Sequence, residues 1–249
     1  MSILNLTIIK PLSYSTPYKC NQKGNNIGTS GAEQFGKDLE KFQNLECLDL
    51  NLPFLINDSL YKKRENNITE VGIKKSIGEI IQSENLVGFS LFLGGNEIKD
   101  GGLQIIAENM KHLNKNIKNF QLSLWRNDLT DIGFRSFLEN LNSLPNVIHL
   151  YLDFLYHNNV TDETAILLGK SLANLKHLRA LQINIQETGI TEVGQQELAK
   201  LISQIRQIVC LRYTYTVHQT TKQTLKLFKK KASCLIFVSI NSIQELVFY

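Results

Sequence analysis

The sequence predicts an α/β solenoid, in which a single parallel sheet alternates with helices, and three observations carry the prediction. Similar segments recur about every thirty residues, each holds an apolar stripe at helical spacing, and each closes on an alternating run of period two. The segments open at Ile27, Ile68, Ile98, Leu129, Val160, Ile190 and Val217, in steps of 41, 30, 31, 31, 30 and 27 residues.

Within each unit the helix comes first. Eight residues after the opener stand Phe35, Ile106, Phe137, Leu168, Leu198 and Leu225, with Ser76 as the exception. Twelve residues after it stand Leu39, Ile80, Met110, Leu141, Leu172 and Ile202, then Lys229 in the last unit. With the residue at offset four these lie on one face of a helix of three to four turns. A strand follows. Its inward residues are Leu48/Leu50, Phe89/Leu91, Phe120/Leu122, Leu150/Leu152, Leu181/Ile183, Leu211/Tyr213 and Val238/Ile240. Period two marks a strand with one buried face. Residues 3–9 fit a further strand ahead of the first full unit, with Leu6 and Ile8 inward.

Two polar positions recur. Asn25, Asn66, Asn96, Asn127 and Asn158 stand two residues before their openers. An amide donates and accepts at once, so it can satisfy backbone groups that lose water where a buried strand turns away, and stacked units would form an Asn ladder. Thr188 and Tyr215 replace it in the last two units, so the ladder is expected to fail toward the C-terminus. Gly31, Gly72, Gly102, Gly133 and Gly194 open the helices, where close packing or a positive φ favours glycine.

The run Phe89-Ser-Leu-Phe-Leu-Gly-Gly-Asn-Glu-Ile98, repeated in register, resembles the leucine-rich repeats of the ribonuclease-inhibitor type, and looks like the long arrays of ciliate proteins. The resemblance covers nearly the whole chain. It implies a horseshoe of about seven repeats, with the parallel sheet on the concave face and helices on the convex face. It also implies protein binding rather than catalysis; a cytoplasmic location is expected from the absence of a signal segment and of a disulfide framework. By analogy with ciliate arrays, a structural subunit of a cytoskeletal or ciliary complex is expected.

The chain reads as one domain: an N-terminal strand and inserted loop over 1–26, regular repeats over 27–216 and a capping repeat over 217–249. Two additions of roughly eleven residues, in 10–26 and 53–67, fall between strand and helix. Long loops in a regular array are either binding loops or covers for its open end. Residues 243–249 either add a strand or cover the other end.

Composition excludes several classes. Of 249 residues 43% are apolar and 20% charged, which suits a packed core and excludes wholesale disorder. The net charge of +4 does not indicate a nucleic-acid binder. The N-terminus lacks a basic n-region, and no apolar run is long enough to span a bilayer, so neither a signal peptide nor a membrane association is expected. Cys20, Cys47, Cys210 and Cys234 form no Cys-x-x-Cys pair and are expected as reduced thiols. The Asn-x-Ser/Thr sites at Asn5, Asn57, Asn67 and Asn159 carry little weight, because two of them arise from the repeat itself.

No motif for chemistry survives scrutiny, so no catalytic residue, metal or cofactor is expected. The segment Gly31-Ala-Glu-Gln-Phe-Gly-Lys-Asp38 nearly matches a phosphate-binding loop, but Asp38 lacks the hydroxyl and would repel phosphate. The five histidines are scattered. His149 alone, near Tyr151 and Asp153, shares a small polar constellation.

Surface therefore carries the function. Residues expected to face out of the sheet or to stand just beyond it include Asn51, Phe92, Trp125, Arg126, Tyr151, Asp153, Tyr156 and Arg212. Trp, Tyr and Arg are enriched among interface hot spots, although Trp125 could equally cover the neighbouring turn. Lys222, Lys226, Lys229, Lys230 and Lys231 give the last repeat a basic face, read either as a solvated cap or as a dock for an acidic protein surface. A second class of function is a GTPase-activating regulator of a Ran-like small GTPase, built on similar repeats, although its usual acidic C-terminal tail is replaced here by a basic one.

Overall fold

The computed structural model describes residues 18–21, 27–39, 46–52, 68–74, 85–113, 115–154, 158–215, 235–240 and 243–247. One nine-stranded sheet runs in chain order: β1 (Tyr18–Asn21), β2 (Cys47–Asn51), β3 (Gly88–Phe92), β4 (Asn119–Ser123), β5 (His149–Asp153), β6 (Ala180–Asn184), β7 (Cys210–Thr214), β8 (Leu235–Ile240) and β9 (Ile243–Val247). Strands β1 to β8 are parallel. Strand β9 pairs antiparallel with β8, so residues beyond 242 do add a strand, in the reverse sense.

Helices Gly28–Leu39, Lys99–Met110, Asp131–Asn140, Asp162–Ala173 and Glu192–Gln204 connect the strands, and residues 70–74 are also helical. A connection between parallel neighbours needs a crossover, and a helix supplies it. The repeat is visible as register. Phe89, Phe120, Leu150, Leu181 and Leu211 stand opposite one another on successive strands, as do Leu91, Leu122, Leu152, Ile183 and Tyr213. These rows and the apolar faces of the helices form one continuous buried cluster. Removing one such side chain from water contributes roughly 1.5–3 kcal/mol. Aromatic rings fill the wider gaps: Phe134 meets Phe154 edge-on at 4.3 Å, and Tyr213 lies 5.3 Å from Tyr215.

Two expectations are corrected. The strand beside β2 is Tyr18–Asn21, inside the segment read as an inserted loop, with Tyr18 opposite Leu48 and Cys20 opposite Leu50. Tyr18 precedes Ile27 by the same nine residues that separate Phe89 from Ile98, so the first unit carries no insertion between strand and helix. Tyr and Cys at the positions of the leucines hid the strand. Residues 3–9 and 53–67 lie outside the described residues. The second correction is at β8, where Ile236 rather than Val238 stands opposite Leu211, and Val238 opposite Tyr213. A slip of two residues keeps every side chain on its own face, so the alternating pattern cannot detect it.

Candidate functional site: the open face and edges of the sheet

The helices pack on one face of the sheet. The other face shows the alternate residues of each strand, held in rows by the same register that orders the core. A groove of about 490 Å³ crosses β3 to β7 there, with Phe92, Gln121, His149, Tyr151, Gln182 and Arg212 among its walls. Phe92 and Tyr151 reach over β4 to approach within 6.1 Å between ring centroids. Arg212 is exposed, with Nη1 3.5 Å from Gln182 Oε1. His149 Nδ1 is bonded to Asn119 Oδ1 on the adjacent strand.

Asp153 departs from the sequence expectation. It is on the outward row yet buried, at 6% exposure. Ser123 Oγ donates to its Oδ2 at 2.9 Å and the Tyr151 hydroxyl donates to the same oxygen at 3.2 Å. Burial pushes the Tyr151 phenol well above its ordinary value, and the neighbouring Asp153 charge and hydrogen bond add to the shift, with Arg212 opposing them. Tyr151 is therefore a neutral donor fixed in orientation by a carboxylate. Asp153 thus supports Tyr151 and Ser123 from beneath the face.

The remaining candidates divide. Phe92, Tyr151 and Arg212 share the groove, while Asn51 is half-buried on β2, outside its named walls. The Trp125 indole packs against Gly94 of the preceding unit, where even a Cβ would collide with it, so it covers that turn. Arg126 is half-buried beside it with φ of 55°. Tyr156 and the lysines Lys222, Lys226, Lys229, Lys230 and Lys231 lie outside the described residues.

Beyond the strands runs a row of amides. Asn96 donates to the carbonyls of Leu52 and Leu93 at 3.1 and 2.8 Å and accepts from the Ile68 N–H at 3.2 Å. Asn127 donates to Leu93 and Trp125 and accepts from the Ile98 N–H at 3.2 Å. Asn158 donates to Leu124 and Phe154 and accepts from the N–H groups of Asn127 and Leu129, both at 3.1 Å. Each amide ties its own unit to the one before. Among the described residues Thr188 bonds only to Ile185 and Ile190, two or three residues away, and makes no bond to the preceding unit. Asn25 and Asn66 lie outside the described residues.

A second row was missed from sequence. The hydroxyls of Thr130, Thr161 and Thr191 cap their helices by accepting from the N–H two residues on. Each threonine also gives its own N–H and hydroxyl to the carboxylate of the preceding unit, namely Asp100, Asp131 and Asp162. The signal was present: Thr follows the opener in four of the described units, and Asp or Glu follows it. The close approach this requires explains Gly133 and Gly194 among the helix-opening glycines, whereas a Cβ on Gly31 or Gly102 would first meet the side chain of its own opener, Ile27 or Ile98. None of the five has a positive φ. A Cβ on Gly133 would stand 2.5 Å from Asp100 Oδ1 and 3.0 Å from its Cα. Where Thr164 replaces the glycine, its hydroxyl joins the row by donating to Asp131.

Cys47 and Cys210 are free, and burial, aided by Glu46 and opposed by the Gly88 N–H, raises the Cys47 thiol. Among the described residues no group of three or more His, Cys, Asp or Glu side chains forms a metal site, and no helix is long and apolar enough to cross a membrane.

No protein-family model matches the chain. No curated protein matches it either. Among solved structures it is similar to a chain described as leiomodin-1 actin-binding site 2, at 15% identity and a TM-score of 0.42, over 65% of this chain and 90% of that one. A likeness of that degree carries no argument about function. The alternation of strands and helices in a parallel sheet is compatible with a leucine-rich repeat solenoid.

Proposed function

We propose that the chain is a leucine-rich repeat solenoid of the ribonuclease-inhibitor type, of about seven units on a horseshoe course, and that it binds another protein across the open face of its sheet. It acts as a non-enzymatic module of a larger, cytoskeletal assembly. The observation that carries this reading is the groove over β3 to β7. There two aromatic rings, two glutamines and an arginine project from a backbone fixed by parallel pairing and by two ladders. Side chains held in advance lose little freedom on binding, which favours affinity. Tyr151 and Arg212 are of types enriched among binding hot spots, and Phe92 is of a type enriched in interfaces generally.

The test uses the full chain as bait from native material, followed by identification of the protein that remains bound. Phe92→Ala, Tyr151→Ala and Arg212→Glu are expected each to lower its recovery at least about tenfold, the scale of a hot-spot truncation. Glu139→Ala on the helix side should leave recovery unchanged. Equal recovery with all four variants overturns the proposal.

A further inference from the structure

The turns that lead from helix into strand carry an uneven charge. Residues 111–119, 141–149, 174–180 and 204–210, which precede β4, β5, β6 and β7, contain no Asp or Glu. They contain Lys111, Lys115, Lys118, Lys176, Arg179 and Arg206, all exposed. Among the described residues none of these six forms an ion pair with a carboxylate. The basic stretch has a definite start, because the matching position before β2 is Glu46. The opposite edge, from strand into helix, is mixed in sign: Glu97, Asp128 and Glu187 are exposed beside Lys99, and Arg126 is half-buried among them.

Helix C-termini favour nearby cations, which accounts for Lys111 at the C-cap of its helix. That effect fades within one turn, and Lys118 and Arg179 sit beyond it, at the mouths of the strands. Their main chains are pinned. The Lys118 carbonyl accepts from the N–H groups of Ile148 and His149, and the Arg179 carbonyl from those of Val209 and Cys210. The cations are thus carried on backbone that does not need to be ordered by a ligand.

We propose that this edge is a docking surface for an acidic polypeptide segment in extended form, separate from the open face. Four turns set on adjacent strands span roughly 14 Å at the usual strand spacing. That is the length of about four or five extended residues. The chemistry selects a peptide over other polyanions. The four turns contain no Phe, Tyr or Trp on which a nucleic-acid base could stack. Val209 is the exposed large hydrophobic residue among them, which is too little to enter a membrane. An acidic peptide needs only spaced cations and a rigid edge.

The test is fluorescence anisotropy of a labelled hexaglutamate peptide with the full chain. Binding is expected at about 50 mM salt and is expected to weaken steeply by about 300 mM, where screening is strong. Lys115→Glu/Lys118→Glu/Arg179→Glu should weaken it by about tenfold or more, and the matching glutamine triple by less. Lys74→Glu/Lys170→Glu/Lys200→Glu, with the same change of net charge on the helices, should stay within about twofold. Tyr151→Ala should also leave it unchanged, which separates this surface from the groove. The proposal is overturned if the wild-type chain does not bind the peptide at low salt. It is overturned too if both glutamate triples lose binding equally, or if an oligothymidylate or phosphatidylserine vesicles bind more tightly than the peptide.

Discussion

Asp131 holds Thr161 of the following unit by two hydrogen bonds, one from its N–H at 2.9 Å and one from its hydroxyl at 2.8 Å. Partial burial alone would raise this carboxyl, but the bonds from Thr161 and Thr164 outweigh it and hold it below its ordinary value of 3.8. A carboxyl lowered on folding stabilises the native state above the unfolded pKa, and that contribution disappears as pH falls through the folded one. Asp131→Asn should therefore lose stability less steeply than wild type below about pH 4. Urea midpoints measured at pH 7, 5, 4 and 3 check this, and parallel curves would contradict it.

Asn127 is fully buried and its amide serves three backbone groups. Asn127→Ala orphans them, and the expected cost is about 1–3 kcal/mol. Thr188→Asn runs the experiment in reverse, since the longer side chain can reach back to the preceding unit. Its expected gain is about 0.5–1.5 kcal/mol, the net value of a completed hydrogen bond. Chemical denaturation of both variants decides.

Gly133 leaves no room for a side chain against Asp100. Gly133→Ala is expected to cost about 1–3 kcal/mol by overpacking, despite the better helix propensity of alanine. A thermal melt at or above the wild-type midpoint would show that the two helices part without cost.

Tyr213 is wholly buried, and burial, with Tyr215 beside it, pushes its phenol far above the ordinary value. An acid raised on folding contributes stability that is complete below the unfolded pKa and is lost as pH rises beyond it. Wild type should thus weaken above about pH 10, and Tyr213→Phe should weaken less. Denaturation at pH 8, 10 and 11 measures the difference.

Much of the architecture was legible because leucine recurs where the core needs it. Phe89, Phe120, Leu150, Leu181 and Leu211 give the rung positions from spacing alone, and Asn127 announces its turn by standing two residues before Leu129. The first strand was not legible, because Tyr18 and Cys20 break the leucine pattern while keeping its spacing. The place of Ile236 was not legible either, because parity is blind to a slip of two. On the open face, Phe92, Tyr151 and Arg212 were named from alternation, and the groove brings them together. Asp153 was placed on the outward row, and its burial was not legible, since alternation reports the face but not how deeply Ser123 and Tyr151 enclose a carboxylate. Thr130 and Asp131 were legible as a pair and overlooked, because their partners lie thirty residues away.

Both rows of polar bonds join each unit only to its immediate neighbour. A molecule knitted in this way comes apart like a zip rather than as a single block. Damage at one tooth stays near that tooth, and the middle of the row outlasts its ends. With Asn at 96, 127 and 158 but Thr at 188, the amide fastening holds through β5 and lapses beyond it, where Thr191 and Asp162 of the second row still join neighbouring units. Amide hydrogens should therefore exchange progressively faster from β4 toward β7, so that the same sheet offers a firm centre and a yielding flank.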